Sequence, residues 1–131
     1  NHLLHCNHYP HYLFLDYHRH LLIQHYPNYY HVLRGDNGSD SITAGNNWDS
    51  VELKGGDDNL KIDNADSGYN AIDGGNGDNN IEAGDGWDKI KTGDGSDNIT
   101  AGKNSTDIQS GSGNDNINID DAKAGWTKID A

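Results

Sequence analysis

Methionine is absent from this 131-residue chain, cysteine occurs once and proline twice. The single thiol, Cys6, excludes an internal disulfide framework. Hydrophobic residues make up only 32% of the chain, too few for a conventional globule to bury a sizeable core. Disorder would be the default for such a composition without some other organisation. No run of about 18 apolar residues is present to cross a bilayer as a helix. No segment has the layout of a cleavable signal peptide, so an export signal is expected to lie elsewhere or to be uncleaved. Basic residues are scarce too: nine Lys and Arg face 21 Asp and Glu, a formal net charge of −12. Asp16 and Arg19 cancel within residues 1–33, so the remaining 98 residues carry all of that charge. Such a surface repels nucleic acid and anionic membranes and attracts cations.

What the chain does have is a period. From Gly75 to Ile119 it reads in nines: GNGDNNIEA, GDGWDKIKT, GDGSDNITA, GKNSTDIQS, GSGNDNINI. One aliphatic residue marks the same place in each unit, giving Ile42, Val51, Leu60, Ile72, Ile81, Ile90, Ile99, Ile108, Ile117 and Ile129. Successive steps are nine residues, except Leu60 to Ile72 and Ile117 to Ile129, which are twelve. A fixed short period is the mark of a repeat architecture, in which each rung buries only a thin inner column against its neighbours.

Residues 1–33 stand apart. They hold all eight histidines and six of the seven tyrosines, but no glycine. His2, His5, Cys6 and His8 are candidate transition-metal ligands, although no second ligand set lies at a clear loop distance. A capping segment that extends the solenoid by short, irregular strands is the alternative; a faint nine-residue echo runs through His2, His11 and His20 and through Leu4, Leu13 and Leu22. A third reading is non-native text, because Gly/Asp-rich repeat DNA read out of frame or from the opposite strand yields His/Tyr-rich sequence with an inherited period.

Residues 34–131 are expected to form a second, all-β region. If each unit is one strand plus one turn, two units make a flattened coil and alternate turns share an edge. The first edge then carries Gly38-Ser39-Asp40, Gly56-Asp57-Asp58, Gly77-Asp78-Asn79, Gly95-Ser96-Asp97 and Gly113-Asn114-Asp115. Glycine there permits tight turns and lets backbone carbonyls approach a ligand. Ser41, Asn59, Asn80, Asn98 and Asn116 follow as a stacked polar ladder. The second edge carries Asp49, Asn70, Asp88, Thr106 and Thr127, preceded in four of five turns by an aromatic: Trp48, Tyr69, Trp87 and Trp126. Each marker aliphatic and the residue two beyond it (Ala44, Leu53, Ile62, Ala83, Thr92, Ala101, Ser110, Ile119) should point inward. A longer period of 57 residues relates Gly38–Gly45 to Gly95–Gly102, and the chain stops within the second copy without a polar cap. Either a fragment of a longer protein or a surface that stacks on another subunit is expected.

Units such as Gly84-Asp85-Gly86-Trp87-Asp88-Lys89-Ile90 and Gly93-Asp94-Gly95-Ser96-Asp97-Asn98-Ile99 resemble the calcium-binding nonapeptide GGxGxDxUx of repeat-in-toxin (RTX) proteins. The resemblance covers about residues 35–131, with the first glycine of the motif usually replaced, as at Ala83, Thr92, Ala101 and Ser110. It implies a right-handed parallel β-roll of about five coils of 18–21 residues, with calcium held between turns of one edge. The implied ligand positions are Asp40, Asp58, Asn79, Asp97 and Asp115, with Asp49, Asn70 and Asp88 on the second edge; Thr106 and Thr127 depart from the pattern.

Charge leads to the same place. Calcium takes six to eight oxygens at about 2.3–2.6 Å from carboxylates and carbonyls. Acids stacked one rung apart would otherwise repel. The four gaps of the first edge are therefore good candidate sites, and the second edge, where no gap pairs two Asp, is expected to be weak or empty. A metal-free solenoid, with Asn and Asp merely shaping turns, is the competing reading.

Four functions fit this text. The first is a secreted, calcium-folded structural or adhesive module, self-assembling end to end in a filament or matrix. The second is carbohydrate binding by Trp48, Tyr69, Trp87 and Trp126, against mutual stacking of those rings. The third is an accessory tail of a secreted enzyme, which RTX tracts resemble. Ice binding is the fourth, but Thr43 and Thr100 stand alone where a flat threonine array would be needed. Catalysis by the chain itself is not expected, since residues 34–131 contain no His and no Cys.

Overall fold

Aliphatic residues alternate with polar ones through the repeats, and period two sends every second side chain inward. The computed structural model describes residues 12–16, 20–22, 30–44, 49–62, 68–103, 106–119 and 127–131. Among these the chain forms thirteen strands and no helix. One sheet has seven strands in the order β1 (Tyr12–Asp16), β3 (Tyr30–Arg34), β5 (Asp49–Glu52), β7 (Gly68–Gly75), β9 (Gly86–Thr92), β11 (Thr106–Gln109) and β13 (Thr127–Asp130). The other has six, in the order β2 (His20–Leu22), β4 (Ser41–Ala44), β6 (Asn59–Ile62), β8 (Asn80–Glu82), β10 (Asn98–Ala101) and β12 (Asn116–Ile119). Every pairing is parallel, and the chain alternates between sheets. The fold is a parallel β-solenoid.

Register follows the marker aliphatics. Ile42, Leu60, Ile81, Ile99 and Ile117 lie side by side across one sheet. Val51, Ile72, Ile90, Ile108 and Ile129 do so across the other. Four complete turns separate β4 from β12. A twelve-residue step lengthens its coil to 21 residues yet leaves this register intact, as Asn59 pairs with Asn80. The inserts themselves fall largely at 63–67 and 120–126, outside the described residues.

The core is a narrow double column. Leu33, Leu53, Leu60, Ile81, Ile90, Ile99 and Ile108 are wholly buried, and each stabilises the fold by about 1.5–3 kcal/mol relative to exposure. The second inward position holds large residues at Leu53 and Ile62 and small ones at Ala83, Thr92, Ala101 and Ser110, all buried. The column opens at the β12–β13 end, where Ile117 and Ile119 are half-buried and Ile129 is 49% exposed. At the other end β1, β2 and β3 continue both sheets, with Leu15 on Leu33, Leu33 on Val51 and Leu21 on Ile42. The nine-residue echo does not set that register: Leu13 pairs with His31 and Leu22 with Thr43. His2, His5, Cys6 and His8 lie outside the described residues.

Candidate functional site

The first edge places its acids in a buried column. Asp40, Asp58, Asn79 and Asp97 are each at most 5% exposed, and Asp115 is half-buried. The side chains of Asp58, Asn79, Asp97 and Asp115 each accept the backbone N–H of the counterpart one rung earlier. Asp40 N donates to Asp58 Oδ1 at 2.8 Å, Asp58 N to Asn79 Oδ1 at 3.1 Å, Asn79 N to Asp97 Oδ1 at 2.9 Å, and Asp97 N to Asp115 Oδ1 at 3.1 Å. One oxygen of each of these four side chains is thereby committed to the ladder.

The second side-chain atom distinguishes the rungs. Asp40 Oδ2 accepts Asp36 N at 2.9 Å. Asn79 Nδ2 donates to two carbonyls of its own turn, Gly77 O at 3.1 Å and Gly75 O at 3.3 Å. Asp58 Oδ2 and Asp97 Oδ2 are buried and have no partner. A buried acceptor without a donor costs about 1–3 kcal/mol, more when charged. Burial pushes the Asp58 carboxyl up to about 6; the Asp40 N–H opposes the rise, and the charges of Asp40, Asp57 and Asp36 add to it.

The five expected turn glycines do not behave alike. Gly56, Gly77, Gly95 and Gly113 have φ of 115°, 117°, 148° and 145°, whereas Gly38 is not left-handed. A Cβ on Gly77 would overlap the carbonyl oxygen of Gly56. Glycine is thus required there for the left-handed φ and for close stacking of one turn on the next. Outside the inner column runs an outer one, where Asp78 N donates to Asp57 Oδ1 at 2.9 Å and Ser96 N to Asp78 Oδ1 at 2.7 Å. The asparagine ladder also forms, with Asn80, Asn98 and Asn116 each donating an amide N–H to the preceding rung's Oδ1 at 2.9–3.0 Å.

The second edge is more buried than its sequence suggests. Asn70, Asp88 and Thr106 lie on consecutive rungs, each at most 3% exposed. Asn70 Nδ2 donates to Asp88 Oδ1 at 2.8 Å. Asn70 Oδ1, Asp88 Oδ2 and Thr106 Oγ1 are left without partners. Burial pushes the Asp88 carboxyl up to about 7, with the Asn70 hydrogen bond opposing and the Asp85 charge adding. Spacing alone could not signal this, because it shows adjacent acids and not unpartnered polar atoms of mixed type. Asp49 lies in β5 opposite Asn70, and Thr127 in β13 opposite Thr106. Of the aromatic column, Tyr69 pairs with Trp87, whose side chain is 60% exposed. Trp48 and Trp126 lie outside the described residues.

A position that sequence reading passed over is Lys54, the one described non-glycine residue with positive φ, at 73°. It stands in the column of Gly75, Gly93 and Gly111, and alignment by coil would have flagged it.

Among the described residues no three His, Cys, Asp or Glu side chains gather as a metal site. A cation on either edge would have to complete its shell with carbonyls and water, which hard ions such as calcium accept. The donor set fits in kind: the unpartnered atoms are oxygens, several rungs deep and well buried. Comparison of the chain with protein-family models, with curated proteins and with solved structures gives no significant match.

Proposed function

We propose that this β-solenoid is a calcium-binding module of the repeat-in-toxin type, non-catalytic and extracellular, with a structural or adhesive role. One observation carries the reading. Asp58, Asp97 and Asp88 each hold one carboxylate oxygen inside the protein with no donor, on a chain of net charge −12. Natural folds rarely leave such atoms unmatched. Bound calcium supplies the divalent charge that these oxygens lack. Asp58 and Asp97 serve the first edge and Asp88 the second, each supplemented by turn carbonyls. Ion binding then contributes folding free energy that a core two side chains wide does not. Association with further copies end to end would cover Ile117, Ile119 and Ile129.

Calorimetric titration with calcium chloride, with circular dichroism in calcium and in chelator, tests this. Heat of binding and a calcium-dependent gain of β signal are expected; identical spectra and no heat would overturn the reading. The exposure of Trp87 in register with Tyr69 favours a second role, stacking on sugar rings. A glycan array with wild-type and Trp87→Ala protein separates the two: binding lost in the variant supports it, and no binding retires it. An accessory role beside a secreted catalytic domain is compatible with either.

A further inference from the structure

We infer that Asn79 is a metal-independent turn, in which an amide occupies the role a cation fills elsewhere on the edge, and that it splits the first edge into two separate ion seats. The inference rests on the cation reading for the seats, but not for the amide.

The five rungs of the first edge share one construction. In each of the four later turns, Oδ1 accepts a backbone N–H from the rung before, so only the second side-chain atom is free to differ. At Asn79 that atom is a donor, and it bonds Gly75 O and Gly77 O, four and two residues earlier in the same turn. At Asp58 and Asp97 it is an acceptor with no donor. The same two carbonyl positions exist in those turns, at Lys54 and Gly56 and at Gly93 and Gly95. Lys54 O and Gly93 O already accept Asn76 N and Ser112 N, so the atom left wanting in each turn is the carboxylate Oδ2, an acceptor that only a donor, a cation or a proton can match. Exchange of one acid for its amide removes that need. Asn carries both a donor and an acceptor, and the donor supplies the partial positive charge locally.

Position matters as much as chemistry. Asn79 falls between Asp58 and Asp97, so neither of these has a carboxylate neighbour on the rung that Asn79 occupies. In this arrangement the four candidate gaps of the first edge group into one seat at Asp58 and another at Asp97 that share no carboxylate. The central coil stays closed without metal, and its neighbours depend on it.

The test uses two reciprocal variants, with calcium chloride as the probe and thermal denaturation and native mass spectrometry as readouts. Asp97→Asn should raise the melting temperature in chelator, because an amide now satisfies that turn, and should lower the number of bound calcium ions by one. Asn79→Asp should lower the melting temperature in chelator, regain it in calcium, and bind one more ion. If Asp97→Asn gains nothing in chelator, the amide device is wrong. An Asn79→Asp protein that folds in calcium yet binds no additional ion would also overturn it. Failure of the cation reading looks different: wild type shows no calcium-dependent shift, while Asp97→Asn still gains stability.

Discussion

Asn70 Nδ2 donates to Asp88 Oδ1 across one rung, at 2.8 Å, and this orients both side chains so that Asn70 Oδ1 and Asp88 Oδ2 are buried without donors. The cost of that arrangement depends on pH. Asp88 is pushed up to about 7 and Asp58 to about 6, both chiefly by burial, against 3.8 for an ordinary Asp. Between pH 4 and 7 the folded chain therefore binds more protons than the unfolded one, and its stability falls as pH rises. The contribution is fully present below about pH 4 and is lost through pH 6 for Asp58 and pH 7 for Asp88. In chelator, the melting temperature should decline steadily over that window. Asp88→Asn should remove the upper part of the decline, and calcium should flatten all of it. A melting temperature in chelator that rises from pH 5 to 8 would contradict this.

Gly77→Ala should destabilise by about 2 kcal/mol or more, since the new Cβ meets a left-handed φ and the Gly56 carbonyl together. Gly38→Ala is the contrast. Its Cβ would meet only Asp36 Oδ1, at 3.1 Å, and its φ is not left-handed. The cost there should stay below about 1 kcal/mol. Urea denaturation of the two variants measures both.

Lys54→Gly should stabilise the protein by about 1 kcal/mol, because Lys54 holds a φ of 73° that glycine adopts without strain. The gain should appear as a higher denaturation midpoint with an unchanged slope.

Ile81→Ala should cost about 3 kcal/mol, the middle of the range for emptying a fully buried aliphatic site. Ile129→Ala, half exposed at the far end of the other column, should cost less than about 1 kcal/mol. Chemical denaturation of the pair tests whether the central rungs carry the core.

Much of the fold was legible because its period is written in residue types. Ile42 through Ile129 announce the rungs, and the residues two beyond them announce the second inward row. Twelve-residue steps declared themselves as insertions, and the pairings of Asn59 with Asn80 and of Thr106 with Thr127 show that they leave the register alone. The first-edge column of Asp40, Asp58, Asn79, Asp97 and Asp115 was equally plain in the text. What each of those side chains does with its second polar atom was not. Asp and Asn look interchangeable in a turn motif, yet at Asn79 the amide closes a turn that Asp58 and Asp97 leave unmatched. The burial of the second edge was not legible for a related reason: spacing shows adjacent acids, while Asn70, Asp88 and Thr106 leave polar atoms unpartnered without being paired acids. In β1 and β2 the apparent spacing of leucines misled, because Leu15 and Leu21, not Leu13 and Leu22, stand in line with Leu33 and Ile42.

The hydrogen-bonded columns at the corner run in opposite senses. Along the inner one, each rung donates forward, from Asp40 N to Asp58 Oδ1 and from Asn79 N to Asp97 Oδ1. Along the outer column and the asparagine ladder, each donates backward, as from Asp78 N to Asp57 Oδ1 and from Asn98 Nδ2 to Asn80 Oδ1. A strand sliding two residues past its neighbour would keep the same side chains facing inward, so the inward–outward alternation alone does not forbid it. Both columns would lose their partners in that slide. Vertical alignment of this molecule is therefore policed from its corners, and damage there would surface as mispaired layers before it surfaced as a hollow interior.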